Sequence, residues 1–408
     1  MPSSQARPFT IVGYVPVTFP VGATVTVAEL EDDPHPVLAR LREHEPVSWV
    51  PALQAWIVTR RDLALHVMRD AVVYTVDDPR FSTAQVVGPS MLSLDGNEHR
   101  RHRDPFARPF RLQAVNERFS EIVRAEVDRL ISLVEHDGRA DLRGALAGPL
   151  SVELMVQALG LEETDPAEAL AWYGAIVAEV TAITAGAAPD GSGREAFARL
   201  CTSVEPALDR QPSSSLVAAA AGTGGLTRAQ VASNAAVLLF GGIETTEAMI
   251  ANAFLHLLSN PAQQALVEAE PALLAGAVEE SLRLEPAAAV VDRYVTCDTA
   301  LAGVQLARGD LVTVSLAGAN RDPLVFPEPD RFDVRRDNVG LQIGFAHGPH
   351  VCLGMHLARL ETRMALERAL ARLPRLRLDP SRPAAVRGLV FRKPLEVWAL
   401  WDSGALVG

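Results

Sequence analysis

The stretch Gly344–Met355, GFAHGPHVCLGM, decides how the rest of the chain is read. It sets Cys352, one of three cysteines in 408 residues, between Gly348 and Gly354. Phe345 lies seven residues before the cysteine and His350 two before it. Glycine flanks let a backbone run close to something flat and rigid. A helix-like segment, LARLETRMALERAL, follows. The sulfur therefore stands just ahead of a helix N-terminus, where the dipole and free N–H groups stabilise a thiolate.

Three readings fit that loop. The first is a glycine-rich turn around a buried structural cysteine, an ordinary place for a free thiol. The second is zinc, since His347, His350, Cys352 and His356 are close in sequence. The usual zinc signatures are CxxC pairs or an HExxH helix, and the chain has neither. The third is a haem iron held by one cysteine thiolate, the ligation that favours O–O cleavage.

Working outward, Thr227 and Gln230 have the spacing of a capping box and open an apolar run that lasts to Asn260–Pro261. Roughly thirty residues at ~1.5 Å each make a rod of about 45 Å, enough to cross the molecule. In its middle sits FGGIETTEA, residues 240–248. Each glycine costs roughly 1 kcal/mol of helicity relative to Ala, and Thr hydroxyls divert backbone hydrogen bonds. The segment reads either as a kink for packing or as a groove for a small ligand, lined by Glu244 and Thr245. Breaks in local rules tend to mark working sites.

Further along, EESLRLEP puts Glu280 and Arg283 at i and i+3, by itself an ordinary surface pair. Short strand-like runs follow at 290–295, 304–306 and 311–316, then the turn-filled NRDPLVFPEPDRF, and a β-like tail from 386 to 398. Toward the N-terminus, VSWVPALQAWI (47–57) alternates like a β-hairpin, and 78–93 reads as loop. LSLDGNEHRRHRDPFARPF packs four arginines and two histidines into one span. There His99 and Arg103, at i and i+4, share a helical face and can grip one anion. Helical periodicity also covers 29–42, 62–69, 114–134, 149–161 and the segment opened by Asp165–Pro166.

Composition narrows the function. A formal charge of −12 argues against nucleic acid. The three cysteines are unpaired in spacing, which fits a reducing cytoplasm. Phe9–Val27 is nineteen residues without a charge, but Gly13, Pro16, Pro20 and Gly22 break it as a membrane helix. Residues 1–28 therefore read as an extended arm without a membrane anchor, and 29–408 as one catalytic domain.

Taken in order, these motifs resemble the cytochromes P450, haem-thiolate monooxygenases, and specifically the soluble bacterial members. The resemblance runs from about Glu29 to the C-terminus. It implies a mainly α fold with small β-sheets (α+β) and a long central helix over haem b. It makes Cys352 the axial thiolate in a loop shaped by Phe345, Gly348, His350 and Gly354, with Ala346 a departure from the family's Gly or small polar residue. It makes Gly241, Glu244 and Thr245 the oxygen-activating groove, with O2 as co-substrate. Glu280, Arg283 and Arg331 become a buried structural triad, and His99, Arg103, Arg293 and His350 contacts to the haem propionates.

The family's specificity regions fall on Met91, Leu92, Ile176, Phe240, Ile243, Ala288, Val290 and Phe391. All are apolar, and the candidate cationic anchors for an acid are Arg80 and Arg392. That implies a neutral lipophilic substrate of polyketide, terpenoid or steroid type. Electrons are expected from a separate ferredoxin and ferredoxin reductase, docking near Arg100, Arg101, Arg108 and Arg359. A monomer is expected. The alternatives are peroxide-driven oxidation or oxidative coupling at the same haem-thiolate centre, and a non-catalytic binding module on the same fold.

Overall fold

The capping box at the start of the central rod is formed. Thr227 Oγ1 accepts the Gln230 N–H at 3.3 Å, and Gln230 Oε1 accepts the Thr227 N–H at 3.0 Å. In this computed structural model, which describes residues 18–184, 188–211 and 215–403, the helix then runs unbroken from Arg228 to Leu258, 31 residues. The two glycines do not break it because they meet different surroundings. A Cβ on Gly242 would lie 2.2 Å from Met155 Sδ, whereas a Cβ on Gly241 would meet nothing within 4 Å. One glycine lets helix Gly148–Leu159 pack close; the other leaves a ledge open.

Against this rod lie helix Met355–Arg372, which carries the chain away from the cysteine loop, and helix Leu274–Leu284, which bears Glu280 and Arg283. Helix Leu112–Ser132 packs on the cysteine helix from its other side. Their apolar faces belong to the largest core cluster, with Phe106, Phe119, Phe254 and Leu366 fully buried in it.

A mixed five-stranded sheet flanks the helices. Its strands are β1 (Val47–Val50), β2 (Ala55–Val58), β3 (Tyr74–Thr75), β4 (Val290–Val295) and β5 (Leu311–Ser315). Their order is β1-β2-β5-β4-β3, parallel only between β2 and β5. The hairpin expected at 47–57 is β1–β2. On β4 the side chains alternate between two packing layers: Val291 and Val295 join Tyr74, Val312 and Ile343, while Val290 faces Ile57 and Leu38.

Two boundaries differ from the sequence reading. Residues 1–17 of the arm lie outside the described residues, but from Thr18 onward the chain is docked. The Phe19 ring sits edge-on to Trp56 at 5.1 Å, and Thr26 caps helix Val27–Asp32 through a capping box with Glu29. A boundary at Glu29 therefore falls inside a helix. The loop reading of 78–93 misses helix Ser82–Val87, six residues long, which is too short to display a period. It packs on helix Pro166–Thr184, whose first turn is capped by Asp165 Oδ1 accepting the Ala167 N–H at 2.9 Å. No helix among the described residues is long and apolar enough to cross a membrane.

Candidate active site

The cysteine loop is wound by its own backbone. The Cys352 N–H bonds back to Phe345 O at 2.9 Å, and the Ala346 N–H closes a turn on Ile343 O at 2.9 Å. Gly348 has φ +76°, and a Cβ there would lie 2.3 Å from Met68 O, so only glycine fits. Ala346 takes a left-handed φ of 59°, which costs an L-residue roughly 1–2 kcal/mol. Arg359 covers the Phe345 ring at 4.5 Å while gripping Glu279 at 2.5 and 3.0 Å. Burial pushes the Cys352 thiol up, against the Gly354 N–H and the charges of Arg103 and Arg359, which pull it down. A coordinating metal ion deprotonates a thiol outright, and would here supply what burial withholds.

Beside that loop the chain gathers cations. Helix Gly96–Ala107 delivers His99 and Arg103, β4 delivers Arg293, and the loop itself delivers His350. The His99 and His350 rings lie 4.3 Å apart. Arg103 donates to Val351 O at 2.5 Å and Arg293 to Asp292 O at 2.7 Å, and neither guanidinium has a carboxylate partner among the described residues. Asp95 is the one acid bonded into the group, through His350 Nε2 at 2.8 Å. Burial raises its pKa, but His350, Thr75 and the Val76 N–H hold it down at about 2. His99 is pushed down to about 4, first by burial and then by His350 and Arg103. Its buried Nε2 has no hydrogen-bond partner. Donors in surplus around one pocket fit a ligand with carboxylates, since charge-assisted bonds are the strong ones.

The groove residues are placed less simply. Thr245 Oγ1 donates to Gly241 O at 2.5 Å, beside the open ledge. Glu244 is turned elsewhere: Tyr173 donates to its Oε2, and Lys393 Nζ lies 2.8 Å from its Oε1. Sequence reasoning missed both partners. Of the expected pocket residues, Phe240 and Phe391 meet edge to face at 5.5 Å, and Ala288 bridges Phe391 through the backbone. Leu92 and Val290 are half-buried, whereas Met91, Ile176 and Ile243 are buried in the main core.

The structural triad needs a correction. Glu280 and Arg283 are buried and bonded at 2.7 and 2.8 Å, as expected. The third member, however, is Arg336, whose Nε reaches Glu280 Oε1 at 2.8 Å. Arg331 offers only its carbonyl, 3.1 Å from Arg283, and points its own guanidinium at Glu328 on the surface. Arg392 is not an acid anchor either, being buried and bonded to Glu285 at 2.7 Å and to backbone carbonyls. Arg80 pairs with Asp78 and lies over Tyr294. Among the proposed docking arginines, Arg101 and Arg359 are held by Glu98 and Glu279, while Arg108 is exposed. The zinc reading finds no support: no three His, Cys, Asp or Glu side chains converge as a metal site among the described residues. Glu361, on the cysteine helix, is a buried acid that sequence reasoning passed over, and burial pushes its pKa well up.

The cytochrome P450 family model matches residues 207–382. The chain is 37% identical over 370 residues to cytochrome P450 monooxygenase PikC of Streptomyces venezuelae, covering 86% of each. It belongs to the cytochrome P450 family. The P450 is also 33% identical to vitamin D(3) 25-hydroxylase of Pseudonocardia autotrophica, over 85% of this chain and 88% of that one. Among solved structures, CalO2 superposes with a TM-score of 0.83 at 32% identity, covering 91% of this chain and 96% of its own. The family's cofactor is haem b and its co-substrate O2. The unpartnered His99 Nε2, the carboxylate-poor arginines and the open ledge at Gly241 fit that group. The chain is an oxidoreductase of the monooxygenase type.

Proposed function

We propose that this P450 inserts one oxygen atom from O2 into a neutral lipophilic small molecule of polyketide, terpenoid or steroid type. It acts as a single catalytic domain in the cytoplasm, as a monomer, with electrons from a separate ferredoxin and its reductase. The observation that carries the reading is the ledge on the central helix. Gly241 is open, Thr245 lies beside it, and the Phe240–Phe391 pair forms an apolar wall nearby. Arg80 and Arg392, the two cations considered as anchors for an acid, are both engaged, which favours a neutral substrate. PikC is named a monooxygenase and another relative a vitamin D(3) hydroxylase, which is in keeping with lipophilic substrates.

In this reading Cys352 ligates the iron, and His99, Arg103, Arg293 and His350 hold the propionates. Phe345 and Gly354 shape the loop. Haem b, when bound, supplies O2 activation, and the thiolate donates electron density that favours O–O cleavage. Thr245 holds a water at the ledge and passes protons that Glu244 supplies, and such positioned transfer contributes about 10²–10⁴-fold. The pocket wall excludes bulk water from that ledge. The test is a panel of macrolactones, terpenoids, steroids and long-chain acids, scored by substrate-induced spin-state shift and then by product. Neutral members are expected to shift the spin state and be hydroxylated. Shifts confined to the acids contradict the neutral-substrate reading.

A further inference from the structure

The loop from Ser90 to Ser93 closes on itself. Ser93 Oγ accepts the Ser90 N–H at 3.1 Å, Ser90 Oγ accepts the Leu92 N–H at 3.3 Å, and the Ser93 N–H bonds to Ser90 O at 3.1 Å. Of the four backbone N–H groups only that of Met91 leaves the loop, and it donates to Asn234 Oδ1 on the central helix at 2.8 Å. Gly88, at φ +78°, lays the chain against that helix just beforehand, where a Cβ on it would lie 3.6 Å from Ser233 Oγ.

Asn234 is buried, and its own amide is fully used. Its Nδ2 donates to Gln230 O at 2.7 Å and to His102 Nδ1 at 3.0 Å. The orientation of the amide is fixed, because the Met91 N–H only donates and Gln230 O only accepts. His102 lies on helix Gly96–Ala107, which also carries His99 and Arg103. One amide thus joins the loop, the central helix and the helix of the expected propionate contacts. On the central helix Asn234, Gly241 and Thr245 stand at i, i+7 and i+11, close to two and three whole turns, so they share one face. At ~1.5 Å per residue the loop is fastened about 10 Å from the open ledge at Gly241. Within the loop Met91 and both serines are buried, and Leu92 is half-buried. The two side chains expected in the pocket are thereby separated: Met91 is taken into the core, and Leu92 is left to face the groove.

We propose that Asn234 is a positioning residue that limits substrate length: by hanging the 90–93 loop on the ledge's own helix face, it stands Leu92 as the end wall of the groove that starts at Thr245. The proposal rests on the reading of that ledge as the substrate site. A molecule held with its reacting carbon at the ledge extends about 10 Å toward the loop before it meets Leu92. Without the amide oxygen the Met91 N–H is left unpaired, and the loop, still wound by its serines, swings away as a unit. A carboxylate in place of the amide keeps that acceptor but loses the donors to Gln230 O and His102. It therefore lowers stability and leaves the wall standing.

The experiment uses holoenzyme, with n-alkanols from octanol to hexadecanol and the neutral panel members ranked by length. Each is scored by the dissociation constant of its spin-state shift. The parent is expected to bind more tightly with length up to a cut-off and more weakly beyond it. Asn234→Ala should remove the cut-off, tightening the longest members about tenfold relative to the shortest, the low end for relieving one methylene of misfit in an apolar pocket. Asn234→Asp should melt at lower temperature yet keep the parental cut-off, a split that a purely structural role would not produce. Leu92→Phe, which breaks no hydrogen bond, should move the cut-off to shorter molecules, and it carries the test if Asn234→Ala does not fold. A parental length profile in Asn234→Ala, or the same uniform weakening in Asn234→Ala and Asn234→Asp, overturns the positioning role. A profile unmoved in Leu92→Phe overturns the wall itself. No spin shift from any neutral member in the parent overturns the groove reading on which both rest.

Discussion

Around Glu280 every guanidinium nitrogen has an acceptor; around Arg293 donors are left over. In the first cluster Arg283 spends all five N–H groups, on both Glu280 oxygens and on the carbonyls of Asn320, Pro329 and Arg331. Arg336 adds Nε to Glu280 and gives its remaining nitrogens to Pro327, Glu328 and Arg331 carbonyls. In the second cluster Arg103 and Arg293 each make one backbone bond, and His99 Nε2 makes none. Both clusters are buried and rich in arginine, so neither trait separates scaffold from site. Saturation does. A closed network holds the fold together, and an unsaturated one is built for something the chain does not itself contain.

The largest expected effect strikes the closed cluster. Glu280→Gln leaves Arg283 and Arg336 buried without their carboxylate, which costs about 3–5 kcal/mol. Soluble folded protein should be largely lost, read by expression yield and melting temperature. The open cluster should respond in the opposite sense. Arg293→Leu removes a buried cation with no carboxylate within ion-pair distance, so haem-depleted protein keeps or gains stability. Haem retention falls by about 2 kcal/mol, the worth of one charge-assisted bond. If Arg293→Leu instead destabilises the haem-depleted protein as Glu280→Gln does, the contrast between the clusters fails.

A second buried ion-pair network sharpens the comparison through pH. Glu285 is bonded to Arg392 at 2.7 Å and to His35 at 2.9 Å. Burial raises its pKa, but His35 and Arg392 bring it to about 2, against an ordinary 4.5. Its contribution is complete above pH 4.5 and is lost as pH falls toward 2. His256, bonded to Ser281 at 2.8 Å, is pushed by burial to about 4 from 6.5. Between pH 6.5 and 4 the unfolded chain binds that proton first, so stability again falls with falling pH. The melting temperature should drop continuously below pH 6.5, and His256→Asn should flatten the upper part of that drop.

What could be read from the sequence was local. The capping box of Thr227 and Gln230, the loop from Phe345 to Gly354, and the i, i+4 pair of His99 and Arg103 all lie within a few residues, and each formed where expected. Arg336 and Arg331 lie five residues apart in a segment full of turns, and only the path of that segment decides which guanidinium points inward. Tyr173, on helix Pro166–Thr184, and Lys393 both meet Glu244 on the central helix, and the three are far apart in sequence. No period or spacing announces such a contact. The smallest expected effect tests the corrected triad. Arg331→Ala should cost under about 0.5 kcal/mol, as an exposed ion pair does, while Arg336→Ala should unfold the protein at markedly lower temperature.

The central claim is that the unsaturated cluster and Cys352 together hold haem through a thiolate. The carbon monoxide difference spectrum of the dithionite-reduced protein, taken for the parent and for Cys352→Ser, tests it most directly. The account predicts a far red-shifted Soret band in the parent that is absent in the variant. A parent that binds haem without that shift, or a variant that keeps it, would contradict the account.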